Sequence, residues 1–316
     1  MLFISIKPIT IMAEGRILDL ETEDLNRLLD DEKLRDNPAV FLAARQAIFE
    51  EVSAENSPAT LWVHHSFGPK GILSIGKSEM PTRVNFEECR RLGVPVYARN
   101  SGGWHIYNDS SSYLFINLFF RTDDDALRNL GMKSARDTTG AFRLNSYLTM
   151  DVLKEAGNIN AYLHPKDPSS ILIDENLIAI NSALLSRAAY LEGGIRYSTE
   201  DLTTAARVIN MTDGERQDLF GRNTSVLNYN PGISKEELKQ KTISTYTTKR
   251  GLGSYRWTRG SLTDAEKELI TRYAKDYRSL ADLDETELGR IGNHEGKICI
   301  VHWITEKYGT YTPGQY

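Results

Sequence analysis

The run Arg99-Asn100-Ser101-Gly102-Gly103-Trp104-His105-Ile106-Tyr107-Asn108-Asp109 decides how this chain is read. Residues 94–99 before the glycines carry a strand pattern, and so do residues 104–107 and 113–120 after them. Two adjacent glycines allow backbone N–H groups to approach a ligand closely, a nest suited to phosphate or carboxylate. Arg99 would add a charge-assisted contact to such an anion. A Ser-Gly-Gly turn also serves as a plain hairpin, so the loop by itself leaves both readings open.

Working outward, residues 16–21 form a first strand. Asn37-Pro38 starts a helix that runs to about residue 55, with Val40, Phe41, Ala44, Ala47 and Ile48 as its buried stripe. Residues 59–65 and 71–75 are two strands joined by a turn at 67–70, and residues 84–92 are a short helix ended by Gly93. Further on, the spacing predicts helices over 141–156, 199–209, 235–248 and 263–276. It also predicts a hairpin of 170–174 with 177–181 and a strand over 297–303. Residues 251–260, rich in Gly, Arg, Tyr and Trp, read as a connector. The order of strands and helices predicts an α+β fold, a mixed sheet flanked by helices. Residues 1–14 would be an N-terminal extension, 15–250 the main domain and 255–316 a small C-terminal unit.

The 316 residues are 40% hydrophobic and 26% charged, the balance of a packed globular protein. A net charge of −5 argues against a polyanion-binding surface over the whole molecule. Two cysteines, Cys89 and Cys299, give no disulfide framework. No run approaches the roughly 18 apolar residues that span a bilayer. Met12 begins a more typical start than Met1, and the segment before it lacks the Arg and Ser of a mitochondrial presequence. The expectation is a cytoplasmic protein, with a mitochondrial one as the alternative and neither nucleic acid nor membrane as partner.

The run 99–109 resembles the lipoate–protein ligase signature Arg-Arg-Ser-Gly-Gly-Gly-Ala-Val-Tyr-His-Asp. Other segments resemble the same family in the same order. Asn37-Pro38-Ala39-Val40-Phe41-Leu42-Ala43 is similar to its first helix. Ile75-Gly76-Lys77 through Val84-Asn85 is similar to its Ile-Gly-Arg to Val-Asn segment. Ile171-Leu172-Ile173-Asp174 with Leu177-Ile178-Ala179 resembles its hairpin, and Thr224-Ser225-Val226-Leu227-Asn228 with Pro231-Gly232 matches its Ser-Arg-Val-Thr-Asn to Pro-Gly element. The resemblance implies the catalytic domain shared by biotin and lipoate ligases. It implies attachment of lipoate or octanoate to a carrier lysine, through an acyl-adenylate or a preformed acyl donor. ATP with Mg²⁺ and lipoate would be the small molecules. The partner would be a lipoyl carrier domain, of 2-oxoacid dehydrogenase E2 or glycine-cleavage H type, or a partner ligase subunit. By resemblance Arg99, Ser101, Gly102 and Gly103 line the acyl–phosphate pocket with Trp104, His105 and Tyr107. Gly76 and Lys77 sit near the adenylate, and Leu177, Ile178, Ala179 and Asn181 belong to the substrate-binding hairpin.

The departures are chemical. The family's hairpin lysine aligns with Leu177, which has no donor and no charge. Loss of one preorganised donor costs on the order of 2.7–4 kcal/mol of transition-state stabilisation. Ile180 stands where the family has glycine, Asn108 where it has histidine, and Leu191-Glu192-Gly193 where it has His-His-Gly. Trp104 is then a lid over the acyl slot or a plug within it. Two functions remain open: acyl transfer with a displaced cation (Lys77, Arg99 or Lys166), or an inert paralogue that binds a carrier domain or a partner ligase.

None of the histidines His64, His65, His105, His164, His294 and His302 pairs with another at a ligand spacing, so no metal site is expected. Arg90 and Arg91 would lower the Cys89 thiol pKa if that residue were reactive, but a structural role is the plainer reading. Cys299 falls in an alternating stretch and reads as core. Tyr255–Arg259 is open to stacking on single-stranded nucleic acid or to docking on its own domain.

Overall fold

In the computed structural model, the described residues are 13–29, 34, 37–65, 71–76, 83–99, 106–109, 112–122, 131–134, 136–199, 201–277 and 279–283. Strand β1 (Ala13–Leu18) leads through α1 (Thr22–Leu28) to α2 (Ala39–Ser53) and β2 (Ala59–His64). Next come β3 (Ile72–Gly76), α3 (Phe86–Leu92), β4 (Val96–Arg99), β5 (Ile106–Asn108) and β6 (Tyr113–Arg121). Helix α4 (Thr138–Gly157) precedes the meander β7 (Tyr162–His164), β8 (Asp167–Ile173), β9 (Asn176–Leu185) and β10 (Ala188–Arg196). Helices α5 (Leu202–Val208), α6 (Asp213–Gly221), α7 (Val226–Tyr229) and α8 (Lys235–Thr248) follow, then β11 (Tyr255–Arg259) and α9 (Asp264–Asp276).

The large sheet has the order β11-β1-β2-β6-β10-β9-β8-β7 and the small one β4-β3-β5. β1 lies parallel to both β11 and β2, whereas the pairs from β2 to β7 are antiparallel, so the sheet is mixed as expected. Strands β2 and β6 are buried on both faces because both alternating sets are apolar. Leu61, Val63, Leu114, Ile116 and Leu118 pack toward α4 and α8; Trp62, Phe115 and Phe119 pack toward α2. The β8–β9 turn has positive φ at Asp174 (48°) and Glu175 (63°), as a two-residue I′ hairpin requires.

Three expectations change. The strands at 59–65 and 71–75 do not form a hairpin: β2 belongs to the large sheet and β3 to the small one. The connector at 251–260 contains an edge strand, β11, whose Tyr255 is buried and whose Trp257 donates its indole N–H to Leu252 O at 2.9 Å. The strand expected at 297–303, with Cys299, lies outside the described residues. Helix α9, at the start of the expected C-terminal unit, packs on α2. It is fixed by a buried ion pair from Glu266 to Arg16 at 2.5 Å, with the Ser57 hydroxyl donating to the same carboxylate at 2.9 Å. The stretch 255–276 is therefore built into the large sheet and its flanking layer. Among the described residues no helix is long and apolar enough to cross a membrane.

Candidate functional site

The small sheet and helices α5 and α6 stand over the α2-side face of β6, β9 and β10, and a cavity of about 290 Å³ lies between. That is near the lower end for small-molecule sites. Alternation along β10 builds one wall. Leu191 and Ile195 point into the core under α4, so Glu192, Gly194 and Arg196 face the cavity. Gly194 opens the middle: a Cβ there would stand 3.5 Å from Tyr113 Cδ1 and 3.6 Å from Ile180 Cγ1 and Phe115 Cε1. Ile209, Met211, Leu219 and Leu177 close the side toward α5 and α6.

Each end of that wall carries a buried ion pair. At one end Arg196 donates to Asp201 Oδ1 at 2.5 Å and to the Tyr113 hydroxyl, and its guanidinium lies 4.5 Å from the Tyr113 ring centroid. Burial pushes the Asp201 carboxyl up to about 6, outweighing the pull of Arg196, with Asp109 adding in the same direction. Burial likewise raises the Tyr113 hydroxyl, and it pushes Tyr107 up to about 12. At the other end Glu192 pairs with Arg45 of α2 at 2.6 Å and accepts from the Ser182 hydroxyl at 2.9 Å. Asp167, on β8, is partly buried, which favours its neutral form. The Ser169 and Ser170 hydroxyls and the Ser169 N–H nevertheless bring it below the usual range.

Of the residues singled out from sequence, Tyr107, Leu177 and Asn181 are brought together around this cavity, with Asn108, Ile180 and Glu192 from the positions that depart from the family pattern. The Asn181 side chain is held from behind: its oxygen accepts from Asn145 Nδ2 and its amide donates to Ser146 Oγ, both at 2.9 Å. Ile178 and Ala179 are buried in the core that α4 covers, and Gly76 pairs with Arg99 between β3 and β4. Lys166 is exposed on the β7–β8 turn. Lys77, Ser101, Gly102, Gly103, Trp104 and His105 lie outside the described residues, as does the side chain of Arg99. Sequence reasoning missed Arg196 and Asp201, and it named Glu192 only as a departure from the family's His-His-Gly element. The available signal was the alternation of Glu192, Gly194 and Arg196. Cys89 is buried against α5, and burial pushes its thiol up to about 12 despite Arg90, which overturns the lowered value that its arginine neighbours suggested.

Comparison with known proteins agrees with this architecture. A lipoate–protein ligase A bound with ATP superposes with a TM-score of 0.66 at 18% identity, over 87% of this chain and 99% of that one. Protein Ta0514 from T. acidophilum, solved with bound lipoic acid, gives 0.63 at 18% identity over 82% and 94%. A bi-partite lipoate protein ligase from Thermoplasma acidophilum, described together with its E2 lipoyl domain, gives 0.63 at 17% identity over 88% and 97%. No curated protein matches the chain in sequence. The family model for the lipoyl protein ligase A/B catalytic domain matches residues 37–247, and the chain belongs to that family.

Proposed function

We propose that the protein binds a lipoate- or octanoate-type acyl group with its tail in the cavity between the two sheets and delivers it to a lysine of a lipoyl carrier domain. The observation that carries this reading is the cavity itself, with Gly194, Ile180, Phe115 and Tyr107 around an apolar middle and charge only at its ends. An eight-carbon tail gains about 0.8 kcal/mol for each methylene buried there. Similar structures, one solved with bound lipoic acid, one bound with ATP and one described together with its E2 lipoyl domain, support the choice of substrates and partner.

The described walls do not fit ATP and Mg²⁺. They present Asp167, Glu192 and Asp201 against one cation, Arg196, which Asp201 already neutralises. Among the described residues no group of three or more His, Cys, Asp or Glu sits together as metal ligands. The groups that the resemblance offers for phosphate, Lys77, the Arg99 side chain and the glycine loop, lie outside the described residues.

A second reading has its own observation. Leu177 occupies the family's lysine position and lines the cavity beside Ile209, Met211 and Leu219. On that reading the protein holds the acyl group, a carrier domain or a partner ligase without performing transfer. Intact-mass measurement of an apo E2-type lipoyl domain separates the two. The domain is incubated with this protein and either lipoate plus ATP or preformed lipoyl-adenylate. An acylated carrier is expected. No mass shift with either donor would remove the transfer reading. Acylation only in Leu177→Lys would establish the inert one.

A further inference from the structure

We propose that Arg196 receives the carboxyl group of the acyl substrate, so that the tail runs along β10 across Gly194 toward Ser182 and Glu192. The inference deepens the proposed function and rests on the cavity being the acyl site. Arg196 is the one cation lining the cavity among the described residues. Its planar group offers five N–H donors, and the hydrogen bonds to Asp201 and Tyr113 engage two of them. Those partners also fix the guanidinium in place, stacked on the Tyr113 ring, before any ligand arrives.

The length of the site agrees. Glu192 and Arg196 are four residues apart on the same face of β10. That is ~13 Å at ~3.3 Å per residue, room for an extended eight-carbon acid of about 10 Å. Gly194 lies midway, and the Cβ it lacks would already stand in contact with Tyr113, Ile180 and Phe115. The positive charge that Leu177 does not supply is thus present elsewhere on the wall of the same cavity. Asp201 has a second part in this arrangement. Without ligand it is the counter-ion that a buried guanidinium requires. A bound carboxylate takes over that role, and Asp201, whose burial already favours its neutral form, takes up a proton from solvent. The charged and titratable groups facing Asp201 are Arg196 from β10, Tyr113 from β6, Tyr107 from β5 and Asp109 from the β5–β6 connection.

The test is calorimetric binding of octanoate and octanol to the full chain. In Arg196→Met with Asp201→Asn, both charges leave together and no buried ion is stranded. That variant is expected to lose octanoate affinity at least tenfold, about 1.4 kcal/mol, and to keep octanol within about twofold, because only the charged hydrogen bonds are removed. A second measurement needs no variant. Wild-type affinity for octanoate is expected to rise about threefold or more from pH 8 to pH 6, with octanol unchanged. Unaltered octanoate binding in a folded double variant, or a flat octanoate profile, overturns the assignment of Arg196. If Gly194→Leu still weakens binding of both ligands in that case, the cavity reading survives. A wild-type chain that binds neither ligand, or a Gly194→Leu variant that binds both as before, overturns the cavity reading and this inference with it.

Discussion

Replacing Gly194 is the most direct perturbation of the proposed acyl cavity, because the structure fixes what the first added carbon meets. The first carbon lands 3.5 Å from Tyr113 Cδ1 and 3.6 Å from Ile180 Cγ1 and Phe115 Cε1, ordinary contact distances. Gly194→Ala is therefore expected to fold normally and to gain up to ~1 kcal/mol from the lower backbone entropy of alanine in a strand. Gly194→Leu places three further carbons beyond that point, in space the acyl tail would fill. Excluding about three methylenes at ~0.8 kcal/mol each removes roughly 2.4 kcal/mol, a loss of about 50-fold in octanoate affinity. Butyrate, too short to reach past residue 194 from Arg196, should lose little. The assay is isothermal titration of a chain-length series against wild type, Gly194→Ala and Gly194→Leu, with thermal melts to match the folded states. Equal octanoate affinity in wild type and a well-folded Gly194→Leu would refute the path of the tail across β10.

Other consequences concern the Arg16–Glu266 and Arg196–Asp201 ion pairs and the residue at position 177. Glu266→Gln strands the Arg16 guanidinium between β1 and α9, both partners being almost wholly buried; the expected cost is about 3–5 kcal/mol, read as a lower urea midpoint, and Arg16→Met with Glu266→Leu should recover most of it. Asp201 holds its proton more tightly when folded, about 6 against an ordinary 3.8, so its contribution is complete below about pH 4 and is lost as pH rises through 6. Asp201→Asn should therefore flatten the wild-type fall in stability between pH 4 and pH 7 by on the order of 2–3 kcal/mol, and an unchanged slope would contradict the burial argument. Leu177→Lys introduces a cation beside Ile209 and Leu219 and is expected to raise acyl transfer to the carrier at least tenfold if the remaining pocket is competent; intact mass reads it.

Much of the fold was legible because local chemistry and burial agreed. Lys235–Thr248 is a helix from its Ser234 cap onward, and the hairpin expected around Glu175-Asn176 is present with its turn one residue earlier, at Asp174 and Glu175, which take positive φ. What failed was partnership between segments. Residues 59–65 and 71–75 both read as strands, but nothing in their alternation says that Trp62 packs toward α2 while Leu73 packs under α3. Helix α6 was missed because its polar surface has no buried side chain to betray a period: its capping box at Thr212 and Glu215 was the only mark it left. The β11 strand was hidden by glycines on either side, and tertiary contacts explain why an Arg-rich edge stays docked: the ladder with β1, the buried Tyr255 and the indole of Trp257 against Gly15.

The site was legible in its outline and not in its charge. The hairpin resemblance led to Leu177, and Leu177 does line the cavity, yet a resemblance carries attention only to the positions it aligns. Arg196 fills no family motif, and in sequence it is one more arginine at the end of a glycine-containing strand. Its meaning comes from tertiary neighbours: Tyr113 from a strand 83 residues away and Asp201, five residues on, at the entrance to α5. A buried arginine needs both, because an isolated guanidinium in such a place would cost several kcal/mol. A protein that needed only structural closure here would do as well with apolar side chains of similar volume. An ion pair retained on the wall of a cavity, with donors to spare, is better explained by what the cavity has to hold.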